Sequence, residues 1–146
     1  MSLKTQQDAI EDILQSVEVS SSAVFHEVKT APPRQGEEFT GYPSAYFAFR
    51  QNESDYSTNE EHRRMYNWTI VIESFTQSLT TEQHYEKMYG IMDSTVQAFD
   101  ENSDLNGAVD FITPVPSSVL ILEGSEGYTL IGEINLRVWQ DVDVRV

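Results

Sequence analysis

Residues 65–99, MYNWTIVIESFTQSLTTEQHYEKMYGIMDSTVQAF, contain a predicted strand followed by the clearest predicted helix of the chain. In the first part, large apolar side chains occupy every second position, which is the period of a half-buried strand: Tyr66, Trp68, Ile70 and Ile72. In the second part they recur every three or four positions, as on one face of a helix: Tyr85, Met88, Tyr89, Met92, Val96 and Phe99. Thr80 or Thr81 together with Gln83 can cap this helix. The stretch therefore predicts a sheet packed against a long helix.

Weaker patterns extend this arrangement in both directions. Ile10, Ile13, Leu14 and Val17 share one face of a predicted N-terminal helix. Further strands are predicted at residues 23–30 and 44–50, and after the long helix at 108–113, 118–123 and 128–139. We therefore expect a single α+β domain over residues 1–146, of order α-β-β-β-α-β-β-β. Its mostly antiparallel mixed sheet would be flanked by the N-terminal helix and the long central helix.

The charge of the chain is strongly negative. Nine Lys and Arg residues stand against 24 Asp and Glu residues, a formal net charge of −15, and no basic residue lies between Lys87 and Arg137. Binding to nucleic acid through phosphates needs clustered cations, as does binding to an anionic membrane surface. We therefore expect neither a nucleic acid nor a membrane as a partner. Whether the acidity only maintains solubility or creates a functional negative field stays open.

Several functional classes lack the residues that they need. The absence of cysteine excludes disulfides and thiolate catalysis and fits a cytosolic origin. The polar N-terminus does not resemble a signal peptide. The three histidines, His26, His62 and His84, are too scattered to predict a metal site, and residues 52–61 lack the spacing of an EF-hand loop. We expect no catalytic residue, no metal, no cofactor and no enzymatic activity.

Residues 51–64, QNESDYSTNEEHRR, are predicted to form the longest charged loop, at the tip of an extended hairpin between two strands. Arginines beside acids suit a complementary contact between protein surfaces. The candidate interface residues are Arg50, Glu53, Asp55, Tyr56, Glu60, Glu61, Arg63 and Arg64. The arginines could equally form local salt bridges with Glu60 and Glu61, and both interpretations stay open.

One family resemblance depends on several of these segments together. It involves residues 41–49, GYPSAYFAF, then Tyr56, Arg63, Arg64 and the strand 68–72, WTIVI, and finally residues 109–111, VDF, and 114–118, PVPSS. With the order of elements, this resembles the tail-terminator, or tail-completion, proteins of long-tailed siphovirus-type bacteriophages, of which the lambda tail terminator represents the broader fold group. The likeness spans residues 5–139, and its motifs are structural rather than catalytic.

The resemblance implies a structural protein that forms a homohexameric ring, caps the tail tube and ends tail elongation. Its partners would be further copies of itself, the major tail tube protein and a head-completion or connector protein, with DNA passing through the lumen without specific binding. Its place would be the head–tail junction of the virion, and the host cytoplasm during assembly. Residues 31–42 and 51–64 would then be candidates for ring and axial contacts. An acidic lumen would let DNA slide by repulsion.

Three alternatives remain open. The protein could be another head-to-tail connector or adaptor of the virion. It could be a small acidic binding or inhibitor module, which would stay monomeric and bind a basic partner tightly. It could also be a small hydrolase with paired carboxylates, which would turn over a substrate and lose that turnover when one buried acid is changed.

Overall fold

The computed structural model describes residues 3–34, 37–55, 61–76, 78–105, 107, 109–124 and 127–143, without the side chains of 51–55, 61–63, 124 and 141–143. The elements, in chain order, are α1 (Leu3–Ser16), β1 (Glu18–Val19), β2 (Ser22–Ala23), β3 (Val28–Lys29), β4 (Ser44–Asp55), β5 (Glu61–Thr76), α2 (Thr81–Glu101), β6 (Phe111–Gly124) and β7 (Gly127–Asp143). Within these residues, no helix is both long and apolar enough to cross a membrane.

The strands form one five-stranded sheet and a small hairpin. The order in the large sheet is β3-β4-β5-β7-β6, and β1 pairs with β2 in a separate two-stranded sheet. Only the short pair of β3 and β4 is parallel, and the other three pairings are antiparallel. The prediction of a single α+β domain with a mostly antiparallel mixed sheet is confirmed.

Two predicted strand boundaries differ from the structure. Residues 23–30 do not form one continuous strand, because β2 ends at Ala23 and β3 contains only Val28 and Lys29. The predicted strands at 108–113 and 118–123 are one strand, β6, which runs through Pro114 and Pro116 and changes register between Pro116 and Ser118. A strand at the edge of a sheet tolerates proline because it needs ladder hydrogen bonds on one side only.

The predicted charged loop at 51–64 is also shorter than expected. β4 continues to Asp55 and β5 begins at Glu61, in a register that pairs Asp55 with Arg63. β5 pairs in turn with the end of β7, opposite Asp141 and Asp143. Because β5 has a neighbouring strand on both sides, its backbone groups are satisfied without any hydrophobic core. These polar residues therefore form strand instead of loop.

Both helices pack against one face of the large sheet. That face carries the alternating residues of the predicted strand, Trp68, Ile70 and Ile72, all of them buried. The core is completed by side chains of both helices and of the neighbouring strands: Ile10, Ile13, Leu14, Phe47, Met88, Met92, Phe99, Ile134 and Leu136. A Cβ atom at Gly132 would stand 2.9 Å from Sδ of Met92. This glycine therefore lets α2 lie close against β7.

Polar contacts fix the two helices on this core. The indole nitrogen of Trp68 donates a hydrogen bond of 3.0 Å to the side-chain oxygen of Gln6 in α1. At the start of α2 the predicted capping box is present, because the amide of Gln83 donates to Oγ1 of Thr80 and the amide of Thr80 donates to Oε1 of Gln83. Such a box satisfies backbone donors that a helix start otherwise leaves unpaired.

Candidate functional site

Arg50, the first predicted interface residue, has partners in its own chain. It lies on the sheet face opposite the helices, where its Nε donates a hydrogen bond of 3.1 Å to Oγ1 of Thr69. Its Nη2 lies 4.0 Å from Oε1 of Glu133 on β7. Ser118 on β6 donates to the other oxygen of that carboxylate. Arg50 therefore links three neighbouring strands, β4, β5 and β7.

The other predicted interface residues lie at one end of the sheet. We call residues 51–55, 61–64 and 140–143 the charged ribbon, because they form the ends of three strands that extend past Phe111, the first residue of β6. In the register of the ribbon, Arg63 stands between Asp55 and Asp141, and Arg64 stands between Ser54 and Gln140. Glu53 and Glu61 belong to the same strands, whereas Tyr56 and Glu60 lie outside the described residues. The arrangement thus places opposite charges side by side within one chain.

Another exposed surface lies on β6, the outermost strand. β6 pairs with β7 on one side, and its other side has no partner strand in the part of the chain that the structure describes. Residues 119–122, which we call the apolar edge, expose 57% of Leu120, 38% of Ile121 and 58% of Leu122. An unprotected apolar strand at a sheet edge is a template for association with another protein.

The apolar edge was not predicted from the sequence, although the sequence contains an apolar run at this position. Residues 119–122 read VLIL, an apolar run without a polar residue. Such a run normally indicates a strand buried on both faces. Only the strand order shows that it lies at the edge of the sheet, with side chains exposed on both faces.

A groove of about 290 Å³ lies on the other side of α2, between that helix and the β1–β2 hairpin. Val19, Ala23, Val24, Pro43, Gly90 and Ile91 provide most of its apolar lining, and Glu86 and Lys87 also border it. The sequence does not indicate this groove, because the groove depends on how the short β1–β2 hairpin packs beside the helix.

A serine and a histidine meet inside the protein. Nε2 of His84 lies 2.9 Å from Oγ of Ser74, and both residues are buried, with exposures of 0% and 1%. Burial, with a smaller contribution from Lys87, lowers the pKa of His84. Nucleophilic catalysis uses serine beside histidine, but it also needs a path to substrate, which the burial of both groups removes. The pair instead joins the first turn of α2 to β5.

Among the acidic residues whose side chains are described, the carboxyl group of Glu73 has a shifted pKa. Burial, and to a smaller extent the neighbouring Glu38, raises the pKa of Glu73, which is half-buried on the helix-free face of the sheet. Among the residues whose positions are described, no three His, Asp or Glu side chains are grouped closely enough to hold a metal ion.

Comparison of the chain with protein-family models and with curated proteins finds no match. The resemblance to tail terminators therefore stays a prediction, which depends on the segments quoted above and on the order of the elements.

Proposed function

We propose that the protein is a structural assembly protein of the tail-terminator class, which forms a homohexameric ring on the end of a phage tail tube. The observation that carries the proposal is the apolar edge of β6, because it is an exposed hydrophobic surface in an otherwise strongly acidic chain. A protein that works through such a surface needs partners rather than a substrate.

The energetics of the apolar edge favour association. Fully burying a leucine or isoleucine side chain contributes roughly 1.5–3 kcal/mol, and the edge exposes three of them in sequence. A contact between two different patches of identical chains repeats from copy to copy and closes into a ring when the rotation allows it. In a closed ring every apolar edge is covered, so no copy retains a surface that would lead to aggregation.

The distribution of charge supports the same function. Copies with a net charge of −15 repel one another, so a contact between them must use an uncharged region. β6 has no charged residue from Phe111 to Leu122. The remaining acidic surface would repel DNA phosphates, which suits a ring through which DNA passes without binding.

Under this proposal the ring ends tail elongation and joins the tail to the head. It contacts the major tail tube protein on one side and a head-completion or connector protein on the other, at the head–tail junction of the virion. The protein would assemble in the host cytoplasm and would not act as an enzyme.

Light scattering after size-exclusion chromatography, with negative-stain electron microscopy, tests the proposal. We expect a species of six chains that appears as a ring, either alone or on the ends of tubes formed by a major tail protein encoded beside it. A chain that stays monomeric at every concentration and does not bind tube ends would contradict the proposal. So would turnover of a small substrate that is lost in Glu73→Gln.

A further inference from the structure

The groove beside α2 contains a glycine that no contact among the described residues requires. Gly90 lies in the middle of α2, and no atom outside its own helical surroundings would come within 4 Å of a Cβ atom placed there. Glycine weakens a helix interior because it loses the most backbone freedom on folding. A side chain at this position would, however, fill the floor of the groove.

The β1–β2 hairpin beside the groove also has a backbone turn that is locally unfavourable. The β1–β2 hairpin turns at Ser20 and Ser21, whose φ angles of 54° and 66° lie in the left-handed region. Glycine, asparagine and aspartate are the usual residues in such turns, because serine has a Cβ atom that clashes there. Ser20 and Ser21 do not themselves line the groove, whose hairpin side is formed by Val19, Ser22 and Ala23, so the locally unfavourable residue of its lining is Gly90. An occupant of the groove would give a reason for that choice.

The apolar edge has an apolar side chain, Ile121, at the same level along the strands as the groove. Ile121 pairs with Leu130, which is buried under the helices, so Ile121 lies on the same face of the sheet as the groove. Leu130 pairs in turn with Ser74. Because Glu73 pairs with Ser44, the row of Ile121 continues across the sheet toward Pro43, which lines the groove. Ile121 and the groove thus share one level along the strands, at opposite edges of the sheet.

We propose that Ile121 of one copy inserts into the groove beside Gly90 of the next copy. The two features lie at opposite edges and cannot meet within one chain, but a rotation about an axis along the strands keeps their level and brings them together. Such a contact joins two different patches, as a ring requires. It rests on the proposed function and specifies the surface that would form the ring.

A second copy fits the groove better than a small molecule does. Its volume of about 290 Å³ is just below the range of about 300–1,000 Å³ that is usual for ligand pockets. Its lining offers few polar groups that could orient a ligand. One branched aliphatic side chain, with the neighbouring apolar residues of β6 around it, matches both the size and the chemistry of this groove.

Pairwise cross-linking tests the contact directly. The chain has no cysteine, so the thiols of Gly90→Cys and Ile121→Cys are unique. Co-expressed chains that each carry one substitution should be joined by a short bismaleimide, and the double variant should give a ladder up to six chains. Gln97→Cys with Ile121→Cys is the matched control, because Gln97 is exposed on α2 but does not line the groove. That pair should not cross-link.

Gly90→Leu is a second test, because the expected changes in thermal stability and in assembly have opposite signs. The leucine should raise the melting temperature, because it removes an interior helix glycine, while it fills the groove and weakens assembly by at least about tenfold. A rise in melting temperature with unchanged assembly would overturn the proposed contact.

The remaining cross-linking outcomes separate this contact from the proposed function. Rings that form without a link between positions 90 and 121 would overturn the contact alone. Links between two Ile121→Cys chains would do the same, because they indicate a symmetric pairing of β6 edges. A chain that neither cross-links nor assembles, alone or at tube ends, would overturn the proposed function as well.

Discussion

The charged ribbon and the apolar edge differ in whether strand pairing within the chain already gives their residues partners on both sides. In the ribbon, strand pairing places Arg63 between Asp55 and Asp141, and Arg50 is bonded to Thr69 beside Glu133. At the apolar edge, Leu120 and Leu122 have more than half of their surface in contact with water, and β6 has no second partner strand among the described residues.

This difference shows why a cluster of charges is a poor guide to an interface. Exposed ion pairs contribute little, typically 0–1 kcal/mol, since water solvates both groups well. The centre of a stable protein interface is instead depleted of charge and rich in large apolar side chains. We therefore expect the apolar edge to dominate assembly and the charged ribbon to adjust it.

The largest effect is expected from Leu120→Lys combined with Leu122→Lys. Two lysines in a buried contact would lose hydrophobic surface and add unpaired charge, so we expect assembly to weaken by at least about a hundredfold, or about 2.7 kcal/mol. Both side chains are exposed in the single chain, so the melting temperature of the monomer should change little. Sedimentation velocity and calorimetry measure the two quantities. Unchanged assembly would show that the apolar edge is not the contact.

An intermediate effect on the free energy of unfolding is expected from pH, through the buried His84, which contacts Ser74 on β5 and Tyr128 on β7. The lowered pKa of His84 means that the folded state favours the neutral ring, so its contribution to stability is complete above the unfolded value of about 6.5. As the pH falls below that value the unfolded chain binds a proton first. Stability should therefore decline as the pH falls from about 6.5 toward 5, because protonation then favours the unfolded chain.

Urea unfolding at a series of pH values, for the wild type and for His84→Gln, measures this contribution. The variant should lack the part of the pH dependence that belongs to His84, although acidic residues will retain theirs. Identical slopes between pH 5 and 7 would show that His84 is not protonated on unfolding.

The fold was more predictable than the site, for physical reasons. The alternation of Trp68, Ile70 and Ile72, the spacing of Met88, Met92 and Phe99, and the capping box at Thr80 all depend on neighbours within a few residues, so the sequence alone indicated them. The length of β4 and β5 depends on β7, which lies far away in the chain and supplies the third strand of the charged ribbon. Local polarity therefore suggested a loop.

The apolar edge and the groove could not be predicted because both depend on tertiary placement. Residues 119–122 would be interior in most strand orders, and only their place outside β7 exposes them. In the sequence Gly90 is only an unfavourable residue within a helix, and the groove that it lines exists because the hairpin packs beside that helix. A charged segment can be recognised from the sequence, whereas the position of a strand at the edge of a sheet cannot.

The smallest effect is expected from Arg63→Glu combined with Arg64→Glu. The double reversal replaces two positive charges of the charged ribbon with two negative ones. It should weaken assembly by about tenfold or less, with thermal unfolding nearly unchanged, because charges at the rim of an interface contribute little and are screened by salt. The effect should shrink further at high ionic strength, which sedimentation in a salt series measures. A loss as large as that of the leucine variant, or one insensitive to salt, would reverse the ranking and make the charged ribbon the principal contact.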